Sequence, residues 1–192
     1  GARLMIQLTH MGRRTKSDTD NWMPTIAPSI RREPASRSVP KEMEQEDIDR
    51  VVRAFAEAAR RCREGGLDGC EISAAHGHLV DQFWSPSSNQ RTDAYGGSLE
   101  NRMRFGIEVL EAMRMAAGDD FVIGIRMSGD EIRSGSYDSA CTSWPVAAVT
   151  AAAVTVSAAS SKWLRRTGFR STAPSNTSVS AHSPVASRTT DA

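Results

Sequence analysis

Residues 70 to 105 read CEISAAHGHLVDQFWSPSSNQRTDAYGGSLENRMRF, and this stretch decides how the chain folds. It closes an apolar strand, sets His76 and His78 just after it, and runs through a polar loop containing Tyr95, Gly96 and Gly97. Ser98-Leu99-Glu100 then opens a helix, with Ser98 placed to accept from the first free N–H groups. A strand-to-helix connection with so many unusual residues marks a binding site carried on a loop.

Working outward, strands and helices alternate. Leu67 to Ser73 is the strand that feeds the loop, and Phe121 to Met127 is a nearly all-apolar strand after the following helix. Arg3 to Leu8 reads as an earlier, buried parallel strand. Between them, Ile48, Val51, Val52, Phe55, Ala59 and Cys62 recur at spacings of three and four, which predicts a helix over 45–63. Glu44, Glu46 and Asp47 suit its N-terminal end, Arg60, Arg61 and Arg63 its C-terminal end, and Gly65-Gly66 its stop. Met103, Ile107, Leu110 and Met113 line the buried face of the second helix. Pro24, Pro28, Pro34 and Pro40 keep the segment before the first helix irregular.

Such alternation implies parallel strands joined by right-handed crossovers, in either a doubly wound sheet or a TIM barrel. No Gly-x-Gly-x-x-Gly follows a strand, which weakens the first option. Gln7, His10, His76, His78 and Arg126 all sit at the C-terminal ends of strands, where a barrel collects its active site. The fold class expected is therefore α/β, a partial TIM (β/α)8 barrel of about three strands and two helices. A whole barrel takes about 250 residues.

Composition divides the chain at 133. All acidic residues but Asp138 and Asp191 lie before Ser134, and no Ile or Met occurs after Arg133. Ser, Thr and Ala make up more than half of 134–192, which predicts a disordered, low-complexity tail. An out-of-frame translation of GC-rich coding sequence has the same look, with a genuine linker as the alternative. The last barrel-like string is Gly129-Asp130-Glu131, and an open barrel would expose strand edges that invite self-association.

Global properties exclude several classes. With 24 Lys+Arg against 23 Asp+Glu, net charge points to neither nucleic acid nor membrane. No apolar run approaches the roughly 20 residues of a membrane span. The first residues lack a signal-peptide layout, because Gln7 and His10 interrupt the apolar run. Cys62, Cys70 and Cys141 have no Cys-x-x-Cys spacing, which argues against a zinc ribbon, an iron–sulfur cluster or a disulfide framework and for a cytoplasmic protein.

The candidate site residues have bland readings of their own. Gln7 alone is a structural hydrogen bonder more often than a ligand contact. His76 and His78 would share a face of an extended segment, yet a metal site needs a further ligand, so no metal is assigned. Arg126 ends an apolar strand and needs a partner if it is buried. Trp84 either packs in the core or presents a π face to a cationic amine.

Gln7-Leu8-Thr9-His10-Met11-Gly12-Arg13, with the loop from His76 to Arg102, resembles the old yellow enzyme family of FMN-dependent NADH:flavin oxidoreductases. The resemblance implies that Gln7 pairs with the flavin pyrimidine edge, while Arg126 faces flavin N1 and the C2 carbonyl. His76 keeps the place of a histidine that helps bind the substrate's electron-withdrawing or charged group. His78 stands where many relatives carry a tyrosine that donates a proton, and Ser73 where enoate reductases often carry histidine or asparagine. His76 and His78 are thus the candidate catalytic residues, with Ser73, His76 and Trp84 lining the substrate.

His-Gly-His-Leu followed by Asp81-Gln82-Phe83-Trp84 is more similar to flavin-dependent N-methylproline and betaine-type demethylases. Hydride transfer between FMN and an N-methylated amine or an activated alkene is therefore implied, with NADH or NADPH as reductant. Asn89, Arg91, Asp93, Tyr95, Gly96, Gly97, Glu100, Asn101 and Arg102 match the same signature, most of them in structural roles. A truncated chain would inherit this identity with little activity, or serve as a non-catalytic interaction module without flavin.

Overall fold

The computed structural model describes residues 1–15 and 24–128, with the backbone of 152–157 and 178–180. In chain order the elements are β1 (Met5–Leu8), a 3-10 turn (Gly12–Arg14), β2 (Ile26–Ala27), β3 (Lys41–Glu42), α1 (Gln45–Glu64) and β4 (Gly69–Ala74). They continue with α2 (Leu79–Trp84), α3 (Leu99–Ala117), β5 (Val122–Ser128), β6 (Ala152–Ser157) and β7 (Ser178–Ser180).

Local chemistry accounts for both long helices. Glu44 and Asp47 form a capping box at the start of α1, and Asp47 also pairs with Lys41 and Arg50 at 2.8 and 2.9 Å. Those partners, the Lys41 hydrogen bond foremost, hold the Asp47 carboxyl down to about 2. Ser98 caps α3 by accepting from the Asn101 N–H at 3.3 Å, and Gly118 ends that helix at a φ of +80°.

β1, β4 and β5 run parallel, in the order β1-β4-β5. Strand alternation gives this sheet two unlike faces. Cys70, Ile72 and Ala74 of β4, with Ile123, Ile125 and Met127 of β5, join the apolar core formed with α1 and α3. Burying a side chain such as Ile72 or Phe105 contributes about 1.5–3 kcal/mol, and Phe83 stacks on Phe105 with centroids 4.3 Å apart. Residues of opposite parity on the same strands, Gln7, Glu71, Ser73 and Arg126, are polar. They form the face that positions the site.

Three differences from the sequence reading stand out. β1 is exposed along most of its length instead of buried, because it is an edge strand with no outer neighbour among the described residues. The stretch read as polar loop contains a helix, α2, whose six residues are all buried. Its apolar residues follow no amphipathic period because every side is covered, so periodicity gave no signal. Finally, β6 pairs parallel with β5 and β7 antiparallel with β6, and both lie within the stretch assigned to the tail. The rest of that tail, and Gly129-Asp130-Glu131, lie outside the described residues.

Candidate active site

The polar face is organised by a residue the sequence did not single out. Glu71, on the middle strand, accepts through one oxygen, Oε1, from Gln7 Nε2 and from Arg126 Nε, each at 2.8 Å. Gln7 lies directly across from Glu71 in the β1–β4 register, and Arg126 lies across from Ser73, two residues further along β4. The Glu71 side chain is 14% exposed and that of Arg126 is 39% exposed, so a shielded carboxylate anchors a guanidinium still open to a ligand. Only the polar partners at strand ends on this one face could have pointed to Glu71 in sequence.

At the end of β4 the chain turns sharply. His76 and Gly77 have φ of +60° and +69°, so the pair does not lie on the extended segment that their spacing suggested. For His76, which carries a Cβ, the left-handed conformation costs about 1–2 kcal/mol. The turn nevertheless sets the two imidazoles edge to face, with centroids 6.0 Å apart. His78 Nδ1 lies 2.9 Å from Thr9 Oγ1 and 3.3 Å from Ser73 Oγ. Either hydroxyl can donate to Nδ1, and when one does the ring proton sits at Nε2. Burial first, then the charges of His76 and Arg14, lowers the His78 pKa, so the neutral imidazole is favoured.

The buried start of α2 locks this turn. Asp81 accepts from the Gly77 N–H at 2.7 Å. Gln82, 1% exposed, donates to the carbonyls of Gly77 at 2.6 Å and Met11 at 3.0 Å, and accepts from the Arg13 N–H at 3.2 Å. Gln82 so joins the ends of β1 and β4, and Gly12 must lack a side chain because a Cβ there would meet the Gln82 amide at 2.4 Å. Arg14 donates to the His76 carbonyl from the outer side. His10 accepts from the Gly12 N–H at 3.0 Å, and burial followed by the Arg50 charge lowers its pKa. Its role is structural.

The structure thus brings Gln7, Ser73, His76, His78 and Arg126 to one end of the parallel sheet. Trp84 goes elsewhere. It is 4% exposed, and its Nε1 lies among buried atoms beside Gly106 of α3, the packing arrangement of the two readings its sequence allowed. At the end of a fully buried helix its ring is claimed by packing. Among the signature residues after α2, Asn89 donates to the carbonyls of Phe83 and Tyr95, both at 2.7 Å, and Arg91 binds Asp93 and the carbonyls of Pro28 and Met43, contacts that brace the loop. Among the described residues no cluster of three metal-ligating side chains occurs.

This arrangement is a segment of a TIM barrel of the old yellow enzyme type. It is similar to morphinone reductase in complex with tetrahydroNAD, with a TM-score of 0.68 and 30% identity, covering 75% of this chain and 45% of that one. Residues 1–177 match the model of the NADH:flavin oxidoreductase / NADH oxidase family, and the chain belongs to that family. It is 58% identical over 131 residues to the N,N-dimethylglycine/sarcosine dehydrogenase of Chromohalobacter salexigens, covering 68% of this chain and 19% of that protein. It is 52% identical over 140 residues to the probable N-methylproline demethylase of Rhizobium meliloti, covering 73% and 20%. Identity is 54% over 128 residues to the multifunctional alkene reductase/demethylase OYE of Caballeronia cordobensis, covering 67% and 19%. The chain therefore spans about one-fifth of the length of these relatives.

FMN is the cofactor of this family, and the donor set here suits it. With Gln7 Nε2 and Arg126 Nε held by Glu71, Gln7 Oε1 and the terminal guanidinium nitrogens have no partner among the described residues. An acceptor beside a cationic donor complements the N–H and carbonyl of the flavin pyrimidine edge.

Proposed function

We propose that the protein containing this chain is an FMN-dependent oxidoreductase that oxidatively demethylates an N-methylated amine. When bound, FMN supplies hydride transfer, in this case as acceptor. Gln7 and Arg126 hold the pyrimidine edge, and the Arg126 charge stabilises the negative charge that develops there. His78, neutral and oriented by Thr9 and Ser73, holds or moves a proton at Nε2 beside the substrate. His76, whose ring lies 6.0 Å from that of His78, and Ser73, hydrogen-bonded to it, meet the substrate on the same side in this reading. The observation that carries this reading is the meeting of Gln7, Arg126 and the oriented His78 at one end of the parallel sheet. Identity of 52% and 58% to proteins named for N-methyl amino acids supports the substrate class.

The same residues suit reduction of an activated alkene with NADH or NADPH as reductant, a second reading supported by the relative named for both activities. Anaerobic mixing of the full-length protein with N,N-dimethylglycine or with cyclohexenone plus NADPH separates them. Bleaching of the flavin band by the amine, with formaldehyde released as water hydrolyses the oxidised N-methyl group, supports demethylation; turnover with the enone alone supports the alkene.

Turnover requires the complete barrel, so the described region alone binds flavin weakly and does not turn over. A non-catalytic module is the competing reading, and it predicts no response to flavin at Gln7 or Arg126. The compositional boundary at 133 belongs to the same proposal, supported by matches of 128 to 140 residues to the three relatives. Reading the coding DNA beyond that point in another frame should recover barrel-like sequence; its absence in every frame counts against a frame shift.

A further inference from the structure

We propose that Glu71 is a positioning residue that decides which atoms Gln7 and Arg126 present to a flavin; the proposal rests on the FMN reading above. Three strands contribute one side chain each, and the carboxylate on the middle strand takes both neighbours on a single oxygen, Oε1, at 2.8 Å. A carboxylate only accepts, so Gln7 turns its NH2 toward Glu71 and its Oε1 away. Engaging Arg126 through Nε fixes the plane of its fork and leaves the two terminal nitrogens to point outward.

The ligand class follows from that pattern. An outward acceptor next to outward cationic donors recognises an imide edge, an N–H flanked by a carbonyl, and disfavours the same ring with its imide nitrogen methylated. Glu71→Gln destroys this sense of direction. Its amide donates as readily as it accepts, which frees Gln7 to present either end, and Arg126 loses its counter-charge. A carboxylate that merely braced the strands would affect folding without affecting discrimination at the imide nitrogen.

The test is an NMR titration of the 15N-labelled chain with FMN and with N3-methyl FMN, read at the Gln7 side-chain amide and Arg126 Nε–H. The native chain is expected to shift at both residues with FMN and to bind the N3-methyl analogue about tenfold more weakly, the loss of one hydrogen bond. Glu71→Gln, checked for a dispersed amide spectrum, is expected to bind FMN about tenfold more weakly and to treat the two flavins alike. Should that variant fail to fold, Glu71→Asp, one methylene too short to hold both partners on one oxygen, is expected to release Gln7 and Arg126 and so to weaken the preference between the two flavins. Unchanged discrimination in a folded variant overturns the role of Glu71 and leaves the FMN reading standing. No shift at Gln7 or Arg126 with FMN in the native chain overturns both.

Discussion

Thr9 Oγ1 and His78 Nδ1 lie 2.9 Å apart, although 69 residues separate them in the chain. The contact ties the end of β1 to the turn after β4 and fixes an imidazole beside Ser73. In the proposed reading the hydroxyls hold Nδ1 and leave Nε2 to face the substrate.

The same surroundings make stability depend on pH. Burial and the nearby His76 and Arg14 charges lower the His78 pKa below its ordinary 6.5, so the folded chain binds fewer protons there than the unfolded chain. The His78 contribution is therefore fully present above 6.5 and is lost as pH falls from 6.5 through the folded value. His10, also lowered, acts in the same direction. Urea midpoints at pH 7.5 and 5.5 are expected to differ more for the native chain than for His78→Gln. An equal difference would show that His78 is not desolvated.

Gln82 carries the link between the two loops. Replacing it with Leu leaves the Met11 and Gly77 carbonyls and the Arg13 N–H without their partner inside the protein. Denaturant unfolding is expected to show a loss of about 2–4 kcal/mol, together with line broadening of the His78 ring signals. A loss below about 0.5 kcal/mol, the usual scale of an uninvolved surface change, would mean the turn is held by other contacts.

How much of this was legible in the sequence varied with the type of signal. The helices α1 and α3 showed their 3.6-residue period and their caps, and β4 and β5 their apolar runs, so the parallel α/β plan was readable. Gln7, Arg126 and the histidines were singled out through position at strand ends and through the family motif, and the structure places them on one polar face, where their roles are proposals. Glu71 escaped because alternation alone does not say which polar residue on a face meets two others across neighbouring strands. Gln82 and Trp84 were hidden for a related reason: α2 is buried on every side, so its polar and aromatic members look like loop or ligand residues until tertiary contacts are seen.

The exposed strand β1 predicts association. Leu4, Met5 and Ile6 are 62%, 43% and 46% exposed on an edge whose outer side has no neighbour among the described residues. Such edges pair with one another. Sedimentation velocity is expected to show mass rising with concentration, and Ile6→Lys is expected to shift the chain toward monomer. A monomer at all concentrations would show that the exposed β1 edge does not drive self-association.

In the proposed function the polar face of this barrel segment reads a flavin. The most direct measurement is a difference-absorbance titration of FMN with the purified chain and with Arg126→Leu. A saturable perturbation of the flavin band is expected in the native chain, weakened about tenfold by the loss of a charge-assisted contact in the variant. A native chain that leaves the band unchanged up to millimolar concentrations, or a variant that behaves as the native chain does, would contradict it.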